Sequence, residues 1–367
     1  MEKGNISAFQ LAIMMYPGVL ATGFLSLPTI TAQYAKNDLW LTGIFAFFVG
    51  LASVYMAIRL HELYPKMTVI QYSEQIVGKI PGKMIGVAYF LYFFHGSGAI
   101  TRQYAEFVTG NFLFHTPIVF VICSMLLLCS FAVRGGTEML ARSAVILTPV
   151  FVLPMFFLSL LGADLDVKNI LPVLSHGIMP VLKGTISPQA WVSEFFIMSF
   201  FLPRLTDPGK IKKWGFISLC IVIFSMIYVN LLTLFVLGPD TANKTYPILA
   251  AFRYIRIGDF FENLEALLLA MWVAGNFVKI GVFYYAAVMS FSQWLELSDY
   301  RPVVFPVGIV IASFSFWDLP SFIHYSSYVR MEAPFEITTI FFGIPLLLFV
   351  IALIRNKKDP ANLNANK

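Results

Sequence analysis

The sequence predicts an all-α membrane protein with ten transmembrane helices, arranged as a five-plus-five inverted repeat with helices 1 and 6 broken. Three observations predict it. Of 367 residues, 58% are hydrophobic and only 12% charged, against about 25% charged in a soluble chain. Ten apolar runs each suit the ~20 residues that a helix needs to cross a bilayer. Two of these runs, the first and the sixth, carry helix-breaking residues, and each is followed at similar spacing by a cation inside a span.

Span one covers residues 8–35. It contains Pro17-Gly18, then Ala21-Thr22-Gly23, then Pro28. Proline removes a backbone donor and glycine relaxes the helix. In hydrocarbon the freed groups need protein, water or a ligand as partner, so Met15 to Pro28 points to a midplane binding site with an unwound core at Ala21-Thr22-Gly23. A proline kink without a ligand is the alternative. Span two covers 39–62. The short amphipathic stretch Met67 to Gly78 is expected along the cytoplasmic surface. Spans three, four and five cover 82–112, 116–133 and 139–161. Leu171 to Gly184 is expected as an extracytoplasmic half-helix or structured loop. Span six covers 187–203 and ends on Ser199-Phe200-Phe201-Leu202-Pro203, similar to Phe24-Leu25-Ser26-Leu27-Pro28 of span one. Span seven covers 213–237. Tyr246 to Ile257, opened by Tyr246-Pro247, is a second half-helix or loop. Spans eight, nine and ten cover 260–294, 302–317 and 333–355, with a cytoplasmic tail at 356–367.

Arg102 follows Pro28 by 74 residues, and Lys279 follows Pro203 by 76. Five spans per half give the halves opposite orientations, the pattern of an inverted repeat. The chain is therefore read as one membrane domain over 1–367, with repeats at about 8–161 and 187–355. Of the 25 lysines and arginines, Arg102 and Lys279 fall within spans. Seven (Lys36, Lys168, Lys183, Lys244, Arg253, Arg256 and Arg330) fall on the side away from the N-terminus. The remaining sixteen share its side, so both termini are expected in the cytoplasm. The net charge of +5 reflects these loops and not nucleic-acid binding. Cys123, Cys129 and Cys220 lie in apolar spans, away from any disulfide or metal spacing. The N-terminus has no signal-peptide cleavage pattern, so the first helix is expected to remain a span.

Ionisable groups inside spans are costly and mark function by default. Arg102 and Glu106 lie one helical turn apart and are read as a structural ion pair. Glu194 lies about 13 Å before Pro203 along a continuous helix, near mid-depth, and Lys279 lies near the middle of span eight. Two readings stand for them: charges facing a wet crevice, or the two walls of one cavity suited to a zwitterion. In span three, Tyr92, His95, Gly96 and Gly98 offer close backbone approach or simple helix packing. A lone intramembrane histidine generally makes one interhelical hydrogen bond. Trp272, Asn276, Lys279 and Phe283 share a face of span eight, where Phe283 is read as a lid or as core. Tyr325-Ser326-Ser327-Tyr328 reads as an interfacial anchor in preference to a vestibule lining. No Walker loop, nucleotide fingerprint, zinc spacing or nucleophile elbow occurs, so neither an enzyme nor a cofactor or metal is expected.

With these residues in view, the chain resembles the B subunit of endospore germinant receptors, within the amino acid–polyamine–organocation superfamily. The resemblance rests on Ala21 to Pro28, Thr101-Arg102 with Ala105-Glu106, and Phe201-Leu202-Pro203. It rests further on Leu171-Pro172-Val173-Leu174 with Gly177-Ile178-Met179-Pro180, on Glu262, Glu265 and Trp272, and on Phe314-Ser315-Phe316-Trp317 with Tyr325-Ser326. It implies a broken-helix transporter fold in the inner membrane of a spore. The implied partners are an A subunit and a lipoprotein C subunit, often with a small D subunit. It also implies a pocket for a small nutrient, commonly an amino acid, formed by Ala21, Thr22, Gly23, Tyr92, Gly96, Glu194, Met198, Lys279 and Phe283. The sequence departs from the family at Ala21, where the motif has glycine. It departs again at Glu194 and Lys279, uncharged in alanine-sensing relatives, which opens the ligand to more polar amino acids or a sugar. The alternatives are a proton-coupled amino acid transporter, using Glu194 or Lys279, and a water or ion channel subunit.

Overall fold

A computed structural model describes residues 4–157, 165–254 and 265–358. Arg256, Ile257, Glu262, the ends of spans five and eight at 158–161 and 260–264, Lys3 and the tail from 359 lie outside the described residues. The architecture is the expected all-α broken-helix transporter fold. Among the described residues, eight helices are long and apolar enough to cross a membrane, and nine if a bent pair is one span. The expected span that fails this test is the sixth, because it is broken.

Helix α1 (Ala8–Ala35) is apolar all round and buried on nearly every face, which places it in the middle of the bundle. It packs on α6 (Thr137–Phe157), α9 (Ile211–Leu237) and α11 (Glu265–Trp294). Its start is closed by a capping box between Ser7 and Gln10, and Asp207 Oδ1 accepts from the amide of Ala8 at 2.7 Å. Residues 5–7 are tied to the end of span six: Ile6 donates to the carbonyl of Arg204, and Thr206 to that of Ile6. The expected unwinding at Ala21-Thr22-Gly23 does not occur. The α-helix runs through, with Pro17 and Pro28 inside it.

Helix α2 (Leu41–Leu63) leads to α3 (Val69–Val77), the expected surface helix, which buries Val69, Ile70, Tyr72 and Ile76 on one face. Helices α4 (Lys79–Asn111) and α5 (Ile118–Gly135) follow. The stretch expected as a half-helix holds α7 (Ile178–Gly184). Span six then runs as α8 (Ile186–Ser193), a fully buried 3-10 stretch at Glu194–Phe200 and a further 3-10 turn at Leu202–Arg204. Seven consecutive 3-10 residues exceed the usual three or four and mark a strained or functional position. Helix α10 (Pro247–Tyr254) is the second half-helix. Helix α12 (Val304–Trp317) meets α13 (Phe322–Met331) at a bend of 100°. Span ten comprises α14 (Ala333–Thr338), a π-helical turn at Thr339–Gly343 and α15 (Ile344–Lys358).

Helix α4 reaches α12 through Gly98. A Cβ added there would lie 2.8 Å from Cβ of Phe314 and 3.2 Å from the carbonyl of Ile311, and Ser315 Oγ donates to the carbonyl of Gly98 at 3.0 Å. Gly98→Val is therefore expected to destabilise the protein by about 1–3 kcal/mol through overpacking, read as a lower Tm in detergent.

Candidate functional site

The site forms where the break in span six meets α1, α4 and α11. Glu194 opens the 3-10 stretch, so its side chain leaves the regular α-helical path at the point where backbone pitch changes. Lys279 Nζ donates to Glu194 Oε2 at 2.7 Å and to the carbonyl of Val19 at 3.1 Å. The two side chains are 1% and 3% exposed. The ammonium also lies 5.3 Å from the centroid of the Phe283 ring, within cation–π range. A second polar side chain reaches α1 nearby: Gln103 Nε2 donates to the carbonyl of Thr22 at 3.0 Å. Unbroken α1 thus offers two carbonyls, of Val19 and Thr22, to neighbours on α11 and α4.

Beside this pair lies a small cavity of about 50 Å³, walled by Thr22, Tyr92, Gly96, Gln103, Trp191, Glu194, Tyr325 and Tyr328, with aliphatic contacts from Ala99, Ile100, Val329, Ala333 and Ile337. Two further cavities adjoin it in turn through shared lining residues. The next one shares Gln103, Tyr325 and Val329 with it, and adds Ser26, Thr29 and Arg330. The outermost shares Thr245 and Tyr246 with the second, and adds Lys244 and Arg253.

Of the residues expected at the pocket, Thr22, Tyr92, Gly96 and Glu194 line the cavity. Lys279 lies behind Glu194. Gly23 lies behind Trp191, where a Cβ would come within 2.9 Å of the indole, so its small size sets how closely the ring approaches α1. Ala21 faces α11, with its Cβ 3.2 Å from a Cβ placed on Gly275. Met198 is fully buried and turns towards Gly215 of α9. Phe283 is no lid. It packs on Phe93 and Phe341 at 5.9 and 6.0 Å, in an aromatic layer between the ion pair and the face that bears the N-terminus.

Arg102 and Glu106 pair as expected, with Nε to Oε1 at 2.9 Å. Arg102 also donates to the carbonyls of Pro320 and Ser315 at 3.0 and 3.5 Å, clamping both sides of the α12–α13 bend. The two intramembrane cations therefore differ in use, one serving the break and the other the bend. His95 makes more than the single contact expected: Nε2 lies 2.6 Å from Asp318 Oδ2, and Nδ1 lies 3.5 Å from Glu336 Oε2. Glu336 in turn accepts from the Tyr328 hydroxyl at 2.9 Å. Tyr325 and Tyr328 are cavity walls, not interfacial anchors. Sequence reasoning missed Gln103 and Trp191. A buried amide beside Arg102 was the available signal for the first. The second had none beyond its place before the break.

The family model described as "Spore germination protein" matches residues 5–323. Among curated proteins, the chain is 26% identical to Spore germination protein KB of Bacillus subtilis (strain 168), over 98% of this chain and 97% of that one. It is 26% identical to YndE of the same organism, over 97% and 98%, and 25% identical to A2, over 96% and 97%. Among solved structures, a Na+-coupled sialic acid symporter in a substrate-bound outward-open state aligns at TM-score 0.65 and 15% identity, over 92% of this chain and 79% of that one. MhsT in complex with L-phenylalanine aligns at TM-score 0.65 and 13% identity, over 95% and 89%. At these identities the likeness is one of fold.

Removing one member of a buried ion pair leaves an uncompensated charge, at a cost of about 3–5 kcal/mol. Lys279→Met is expected to lower the Tm accordingly, and adding Glu194→Gln to it is expected to recover most of the loss. Thermal unfolding of the three proteins in one detergent checks this.

Proposed function

Because this chain belongs to the spore germination protein family, we propose that it is the nutrient-sensing membrane subunit of a germination receptor. It binds an amino acid or similar small nutrient in the midplane cavity and signals to partner subunits, with no enzymatic step. The observation that carries this reading is the cavity beside the broken span, walled by Glu194 and by hydroxyl, amide and indole groups. Its lining, largely apolar with a few convergent polar groups, has the chemistry of a small-molecule site, and the small cavity adjoins a second one across Gln103, Tyr325 and Val329. The partners in this reading are an A subunit and a lipoprotein C subunit, with a small D subunit in some complexes. The location is the spore inner membrane. Both termini are cytoplasmic, so nutrient enters past Tyr246 and Tyr325. A nutrient moves such a protein only by its differential affinity for two states. The groups placed to supply that difference are the Glu194 carboxylate and the Tyr325 and Tyr328 rings, which belong to spans six and nine to ten.

A second reading, proton-coupled uptake of an amino acid, is favoured by the buried carboxylate–ammonium pair at the break. Reconstituted proteoliposomes separate the two. Saturable binding of a nutrient without uptake under an imposed pH gradient is expected. Gradient-driven accumulation would establish the transporter instead. Failure of amino acids and sugars alike to bind would remove both. Lys279→Met is expected to change the nutrient response.

A further inference from the structure

We propose that the two inner cavities form one dipolar site that takes an amine-bearing nutrient ammonium-first, with Glu194 receiving the ammonium and Arg330 facing the anionic end. This rests on the receptor reading above and narrows its ligand class.

The argument is the order of charges along the path. In the innermost cavity, Glu194 is the one charged group among the lining residues. Lys279 neutralises it from behind, through Oε2, and does not reach the cavity. Among the described residues no side chain donates to Oε1, which leaves that oxygen for a ligand. The rings of Tyr92, Trp191, Tyr325 and Tyr328 supply the remaining wall. Aromatic faces attract a cation, and the attraction grows as water is excluded. A carboxylate placed there would set its oxygens against the acceptor Oε1 with no donor between them, whereas an ammonium donates to it.

The next cavity reverses the sign. Its one charged lining residue is Arg330, which makes no ion pair among the described residues. Lys244 and Arg253 of the outermost cavity are already paired, with Asp240 at 2.8 Å and Glu265 at 2.7 Å. A zwitterion entering past Tyr246 therefore meets Arg330 before the Gln103, Tyr325 and Val329 neck, and Glu194 beyond it. Its ammonium leads and its carboxylate trails.

The test is binding to the purified full-length chain in nanodiscs by thermal shift and calorimetry. The probes are a set of L-amino acids, the amines left by their decarboxylation, the matching 2-hydroxy acids, and glucose. Amino acids and amines are expected to bind, with hydroxy acids and glucose weaker by about tenfold or more, a difference of roughly 1.4 kcal/mol. Arg330→Gln is expected to weaken the amino acids and spare the amines. The paired change Glu194→Gln with Lys279→Met, which leaves no buried unpaired charge, is expected to weaken both. Hydroxy acids or glucose binding as tightly as the amines would overturn the inference and leave nutrient sensing standing, as would unchanged amino acid affinity in Arg330→Gln. Binding of no probe would overturn both.

Discussion

Lys279 and Glu194 meet 2.7 Å apart with almost no contact with solvent, and the arrangement of spans one, six and eight depends on that meeting. The ammonium is shared with the carbonyl of Val19, so a single side chain ties all three spans together. The net contribution of such a pair to stability is small, because two charges must leave water to form it. Its consequence lies in the cost of separation: either charge left alone in the interior is strongly unfavourable, so a backbone shift that parts them needs a replacement partner. The carboxylate has one oxygen engaged and stands in a cavity wall, which is where a ligand is able to supply that partner.

The outer closure of the cavity follows from the same constraint applied to backbone. A bend of 100° between α12 and α13 leaves carbonyls without helical partners, and in a membrane these groups have to be satisfied by protein. Arg102 reaches Ser315 and Pro320 across the bend. His95 joins Asp318 of the bend to Glu336 of α14. Helix α13 is thereby held over the cavity with Tyr325 and Tyr328 turned inward. Ionisable groups that look scattered along the sequence thus serve two places, the break in span six and the bend after span nine.

Particular residues show how far the sequence was legible. Low charge and repeated apolar runs determined an all-α membrane protein, since a bilayer admits few other solutions for such a chain. The Phe-Leu-Pro at 201–203 marked the end of the broken span, and the depth of Glu194 and Lys279 marked them as belonging to an interior site. The same reasoning erred at Ala21-Thr22-Gly23. Proline and glycine permit a helix to open but do not oblige it to, and here α1 runs unbroken, with the carbonyls of Val19 and Thr22 accepting from Lys279 and Gln103. It erred also at Tyr325 and Tyr328, since an amphipathic tyrosine suits an interface and a cavity wall equally.

By itself the sequence determined the fold class, the order of the apolar spans, the location of the break in the second half and the short list of buried charges. These follow from composition and local pattern, because the cost of polar groups in hydrocarbon acts on each segment separately. Only the tertiary structure decided which groups meet. That Lys279 stands behind Glu194 and away from the cavity, that Gly23 makes room for Trp191, and that Met198, Ala21 and Phe283 face the packed core are outcomes of helix rotation and of the bend at α13. Rotation about a helix axis is set by contacts between segments far apart in the chain, and periodicity within one segment carries too little information to specify it.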